Sequence, residues 1–241
     1  MADLTWLDAG TAYFAGQLSG LDLATPSRLP GWTRGHVVAH VAANARALGR
    51  LASWARTGVE TPMYASRAAR DAEIEELAGL SPDALAELFE RTAGELRAAL
   101  GEMSERDWAA RVRTAQGVDV PAAEIVWMRT REVWIHAVDL GTGTFADFPG
   151  ELVDALLTDV AGQRARRGDG PGLVLSPTDR EAEWPIPGAW PASAAQAAEA
   201  IGPPPAAGLP EVRGTAAELA AWITGRGPAP DPDAPELTPW L

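Results

Sequence analysis

Residues 121–141 read PAAEIVWMRTREVWIHAVDLG, and the spacing of their side chains decides the fold. Ile125, Trp127, Met128, Val133, Trp134, Ile135 and Val138 are too densely apolar for a surface helix. The stretch therefore predicts a buried helix, opened by Pro121 and ended by Gly141. Glu132, His136 and Asp139 stand within it at steps of four and three, which puts them on one stripe. Each such group costs on the order of several kcal/mol to bury unless it is paired or coordinated.

A second helix of this kind lies upstream. From Arg34 to Thr57 there is no proline, and Val37, Val41, Leu48, Leu51 and Trp54 recur on one face, with Thr33 as N-cap and Gly58 as stop. His36 and His40 share a face of it, and with His136 they are all the histidines of the chain. Residues 2–20 predict a first amphipathic helix, and Ser81-Pro82-Asp83 caps another that runs to about Leu100. Four long helices predict an antiparallel bundle, with residues 58–80 as a longer loop of the kind that carries function. Past residue 150 the texture changes. A helix over Glu151–Arg166, an apolar run at Leu173–Leu175, strands within Glu183–Trp190 and Glu211–Arg213, and helices over Ser193–Ile201 and Thr215–Thr224 precede a Pro-rich tail, Pro228–Pro239. The expected fold class is α+β: a helical bundle over residues 1–150 and a smaller α+β domain over 151–241.

The 241 residues carry 33 acidic against 20 basic side chains, all of the latter arginine, for a net charge of -13. That balance repels phosphate backbones and anionic lipid, so neither nucleic acid nor a membrane surface is an expected partner. No run nears the ~18 apolar residues of a membrane span, and Asp3 stands where a signal peptide would be basic. The expectation is a cytoplasmic monomer. Cysteine is absent, which excludes disulfides, thiolate zinc sites and a thiol nucleophile of the protein's own.

Spacing alone leaves two readings of His40, Glu132 and His136. One is a divalent metal held by two imidazoles and a carboxylate, with a coordination position free. The other is a hydrogen-bonded pair plus a surface residue. Glu132-x-x-x-His136 is not the His-Glu-x-x-His pattern, so no peptidase is implied.

Residues 29–44, LPGWTRGHVVAHVAAN, and 127–140, WMRTREVWIHAVDL, resemble the mycothiol-dependent maleylpyruvate isomerases of the DinB-like group. Glu60-Thr61-Pro62-Met63-Tyr64, the Thr114-Ala115-Gln116-Gly117 turn and Gly225-Arg226-Gly227 extend the resemblance over nearly the whole chain. It implies a DinB-like four-helix bundle followed by a small α+β domain, with zinc bound by His40, Glu132 and His136. His36 falls outside the ligand positions, as a packing histidine or a support to the ligands. The implied reaction converts maleylpyruvate to fumarylpyruvate in gentisate-type aromatic degradation.

A cis–trans change about a carbon–carbon double bond needs the bond order lowered, which a thiolate achieves by adding to the conjugated enone and leaving again. With no cysteine, the sulfur must be borrowed, and the resemblance implies mycothiol, activated by the zinc. The substrate is a dianion, so placed arginines must hold it. Arg226 matches the family's C-terminal active-site arginine and is expected to bind a carboxylate or the developing enolate; a solvent-facing arginine at a helix end is the alternative. Arg70, beside the Thr-Pro-Met-Tyr segment, is a second substrate-binding candidate. Asp139 orients a ligand, holds the sugar part of mycothiol, or serves the helix end. A mycothiol S-transferase of the same group and a non-catalytic, metal-stabilised binding module are the other functions left open.

Overall fold

The computed structural model describes residues 2–168, 170–188 and 208–240. The chain divides into two compact units, Met1–Gly143 and Thr144–Leu241.

Helices α1 (Thr5–Leu18), α2 (Arg34–Thr57), α3 (Arg67–Ala78), α4 (Pro82–Gly101), α5 (Glu105–Ala109) and α6 (Glu124–Asp139) build the first unit. α2 packs on α4 and α6, and α1 packs on α6 and α4, so four helices close a ring. Phe14, Leu48, Leu51, Leu85, Phe89, Leu96 and Ile125 fill its core. α1 approaches α6 closely at Gly10, where any Cβ would run into the ring of Trp134 and the side chain of Val133. That ring is fixed in turn: Trp134 Nε1 donates to the carbonyl of Trp6 at 2.8 Å.

The caps follow the sequence. Thr33 and Ser81 each accept a hydrogen bond from the backbone three residues on, Pro82 occupies the first turn of α4, and Gly58 ends α2 in a left-handed conformation at φ 73°. Residues 58–80 are not a continuous loop, because α3 lies within them. Ser66 caps it through the amide of Ala69, and residues 67–78, RAARDAEIEELA, are strong helix formers. Only Ile74 of α3 is buried, which is why apolar periodicity did not reveal it. Pro121 does not open α6. It ends strand β2 (Asp119–Pro121), which pairs antiparallel with β1 (Arg111–Arg113) across a turn that Gly117 makes at φ 79°. Pro121 has no N–H to give the helix, and as the last residue of a two-stranded sheet it need give none to the ladder.

In the second unit a 3-10 turn, Phe145–Asp147, precedes α7 (Gly150–Arg167), β3 (Leu173–Pro177), β4 (Trp184–Ile186), β5 (Glu211–Gly214) and α8 (Ala216–Ile223). β3 is central, antiparallel to β4 and parallel to β5, and every one of its residues is buried. α7 packs on β4 and α8. The helix expected over 193–201 lies outside the described residues. The end of the Pro-rich tail is fastened to α7: Arg167 donates to the carbonyls of Pro239 and Trp240, and Trp240 Nε1 donates to Gln163. The α+β class and the helical bundle are as expected, with helix predominating. Among the described residues no helix is long and apolar enough to cross a membrane.

Candidate functional site

Because α2 starts at Arg34, behind its N-cap Thr33, His36 falls in its first turn and His40 one turn later, facing Glu132 of α6. His36 completes the cap. The Thr33 amide donates to His36 Nδ1 at 3.2 Å while Thr33 Oγ1 accepts from the His36 amide, a capping box with histidine in the usual place of Glu or Gln. Its Nε2 points outward to Glu75 on α3, 3.3 Å away.

His40 is buried, and its Nε2 lies 2.9 Å from Glu132 Oε2. His136 Nε2 lies 3.2 Å from the same oxygen. The two imidazole rings meet edge to face at 4.7 Å. Glu132 keeps 27% of its side chain exposed, so the cluster opens to solvent on one side. Asp139, completely buried, places Oδ2 2.8 Å from His136 Nδ1. With the Nδ1 proton engaged there, the Nε2 lone pair of a neutral His136 faces Glu132. A lone pair opposite a carboxylate calls for a positive charge between them, either a proton or a metal ion.

The electrostatics of the cluster point the same way. Burial pushes His136 down, but its hydrogen bonds to Asp139 and Glu132 outweigh this and raise it to about 9. Burial would raise Glu132, yet the neighbouring His40 and the hydrogen bonds from both histidines hold it well below the usual carboxylate range. Burial lowers His40, with Glu132 only partly opposing it.

The cluster fits a metal ion. One donor atom each from His40, Glu132 and His136 lies within 4.8 Å of the others. Zinc bonds of about 2.0–2.1 Å would put tetrahedral donors roughly 3.3 Å apart, close to the two separations above. Two imidazoles and one carboxylate also leave a position for an outside ligand.

Arg70 reaches the cluster: its Nη2 is 3.3 Å from His40 Nδ1, and its Nη1 is 2.9 Å from Asp71. Trp32 sets its ring 5.5 Å from that of His40 and stacks on His36. Trp134 stacks on Tyr13 and Trp127 lies near Trp6, so these two tryptophans belong to the packing against α1. Arg226 lies in the second unit, where it donates to the carbonyl of Thr224 at 2.7 Å and lies over the Trp240 ring at 5.7 Å.

Two neighbours of the cluster were given no role by the sequence, Tyr64 entering only within the Thr-Pro-Met-Tyr segment. Arg129, one turn before Glu132, is fully buried and donates to the Val41 carbonyl at 2.7 Å and to Asn44 Oδ1 at 3.0 Å. Tyr64, from the Thr-Pro-Met-Tyr segment, is largely buried, and burial with Glu132 nearby raises its hydroxyl to about 12. The available signal was spacing: Arg129 precedes Glu132 by three and Asn44 follows His40 by four.

A family model described as the mycothiol maleylpyruvate isomerase N-terminal domain matches residues 6–141. The chain belongs to this family. A second model, the C-terminal domain of the same isomerases, matches residues 147–238. The crystal structure of the mycothiol-dependent maleylpyruvate isomerase is 39% identical, with a TM-score of 0.85 over 98% of this chain and 95% of that one. A histidine-to-alanine mutant of that isomerase is 38% identical, with the same TM-score and coverage. No curated protein matches the chain.

Proposed function

We propose that the chain isomerises maleylpyruvate to fumarylpyruvate with mycothiol and zinc, as a cytoplasmic monomer serving gentisate-type aromatic degradation. The observation that carries this reading is the meeting of His40, Glu132 and His136 in one cluster open to solvent, in a chain of this family that has no cysteine. His40, Glu132 and His136 would hold the zinc ion, which when bound would supply the Lewis acidity that lowers the pKa of a thiol.

The chain's own residues do the rest. Asp139 holds the Nδ1 proton of His136 and so directs Nε2 to the centre. Trp32 sets its ring beside that of His40. Arg70 stands at the cluster as a substrate-binding candidate, and by the family resemblance Arg226 binds a carboxylate or the developing enolate; both carry donors in the planar fork that matches a carboxylate.

The test is an isomerase assay on zinc-loaded protein with mycothiol and maleylpyruvate. Turnover that vanishes without mycothiol is the expected result. Undiminished turnover without it would overturn the reading. Conjugation of mycothiol to a chlorinated aromatic, with maleylpyruvate untouched, would assign a transferase instead.

A further inference from the structure

Arg129 is unusual for a helix-packing residue. It is 1% exposed, and its hydrogen bonds go to two neutral acceptors on α2, the Val41 carbonyl and Asn44 Oδ1. Its Nη2 is buried with no hydrogen-bond partner among the described residues. A clamp between α2 and α6 could be made by a neutral side chain without leaving a donor unsatisfied. The charge of Arg129 therefore needs its own account.

The charged groups around it supply one. On α6, Glu132 follows Arg129 by one turn and its carboxylate favours the guanidinium's charge, and His136 and Asp139 follow one and two turns further on. The α2–α3 connection contributes Tyr64, a neutral phenol. From α2 come the imidazole of His40, which is neutral when it holds a metal, and the uncharged Asn44. Arg70 on α3 is already engaged with Asp71. With a divalent ion on His40, Glu132 and His136, the carboxylates of Glu132 and Asp139 cancel the metal charge. Arg129 returns the buried set to a net positive charge of one, which a thiolate then neutralises.

We propose that Arg129 is a positioning residue for the thiol: its buried guanidinium supplies the positive charge with which the His40–Glu132–His136 centre holds a thiol as the anion. This deepens the proposed function and rests on its thiol chemistry. Burial lowers the pKa of Arg129 only to about 10, so the charge is present throughout the neutral range.

The experiment uses the full chain loaded with cobalt(II) and titrated with mycothiol across pH, reading the midpoint of the thiolate-to-cobalt charge-transfer band. Arg129→Gln should raise that midpoint by about one pH unit, so that the thiolate fraction in the acid part of the curve falls about tenfold. The band should keep its full height at alkaline pH, and cobalt should bind as tightly as in the wild type or more so. Arg129→Lys, which keeps the charge and loses the fork, should leave the midpoint near the wild-type value.

If Arg129→Gln does not fold, Asn44→Asp retains the hydrogen bond to Arg129 while neutralising it, and should shift the midpoint in the same direction. An unmoved midpoint in Arg129→Gln, or in Asn44→Asp where Gln does not fold, would overturn the proposal and leave Arg129 a clamp. Wild-type protein with no charge-transfer band at any pH would refute the thiol reading itself, a distinguishable failure.

Discussion

His136 Nδ1 and Asp139 Oδ2 sit 2.8 Å apart across one turn of α6, and Asp139 has no exposed surface. The backbone of Asp139 is held as well, its carbonyl accepting from the Arg28 amide at 2.9 Å. The pair fixes both the orientation and the tautomer of His136. Asp139→Asn keeps the size and an acceptor but removes the negative charge. It should lower zinc affinity about 10–100-fold in a chelator competition. Unchanged affinity would reduce Asp139 to a helix-end role.

Stripping the metal should expose a pH dependence of stability with a definite sign. His136 is raised from 6.5 to about 9 in the folded chain, so its contribution is complete below pH 6.5 and is lost as pH rises through 9. Glu132 is held below its ordinary 4.5, so its contribution is present above that pH and lost in acid. His40, lowered from 6.5, also favours folding more as pH rises toward that value. The three together put maximum Tm of the stripped protein near pH 6.5, with a decline toward pH 9. Zinc-loaded protein should lack the alkaline decline, because the metal replaces the proton. Thermal melts of both forms at several pH values check this, and parallel curves would contradict it.

His36 is a cap rather than a ligand, and its substitution should separate stability from metal binding. Losing a capping partner costs about 1 kcal/mol, while the contact with Glu75, which is 69% exposed, adds little. His36→Ala should therefore melt lower, yet bind zinc normally and turn over within about twofold of the wild type. A large loss of zinc affinity would bring His36 into the site.

Much of this was legible because the informative helices announce themselves. α2 carries a cap, a stop and an apolar face in its own sequence, and the Glu132, His136 and Asp139 stripe is visible from helical spacing alone. α3 was not, since with Ile74 as its one buried residue it has no apolar face to detect, and only its helix-forming composition marks it. Arg129 was missed for the opposite reason. An arginine beside exposed-looking Arg131 reads as surface, and only the closing of α2 onto α6 turns it inward to Val41 and Asn44. His36 shows the limit of counting side chains by type: four residues from His40, it shares the helix face, but hydrogen bonds to Thr33 consume its ring nitrogen.

Arg226 offers the final test, because a dianion must be held against a background of net charge -13. The general field of such a chain repels the substrate, so binding depends on a few local cations. In the second unit the Arg226 guanidinium is oriented by the Thr224 carbonyl and the Trp240 ring. Arg226→Ala should lower kcat/KM about 10²-fold or more, the scale of a charged partner lost from a bound anion. Zinc content should stay at the wild-type level, since His40, Glu132 and His136 all lie in the first unit. Arg226→Lys keeps the charge without the planar fork and should recover only part of the loss. Near-normal kcat/KM in Arg226→Ala would remove this arginine from the reaction and leave Arg70, at the cluster itself, to bind the substrate carboxylates.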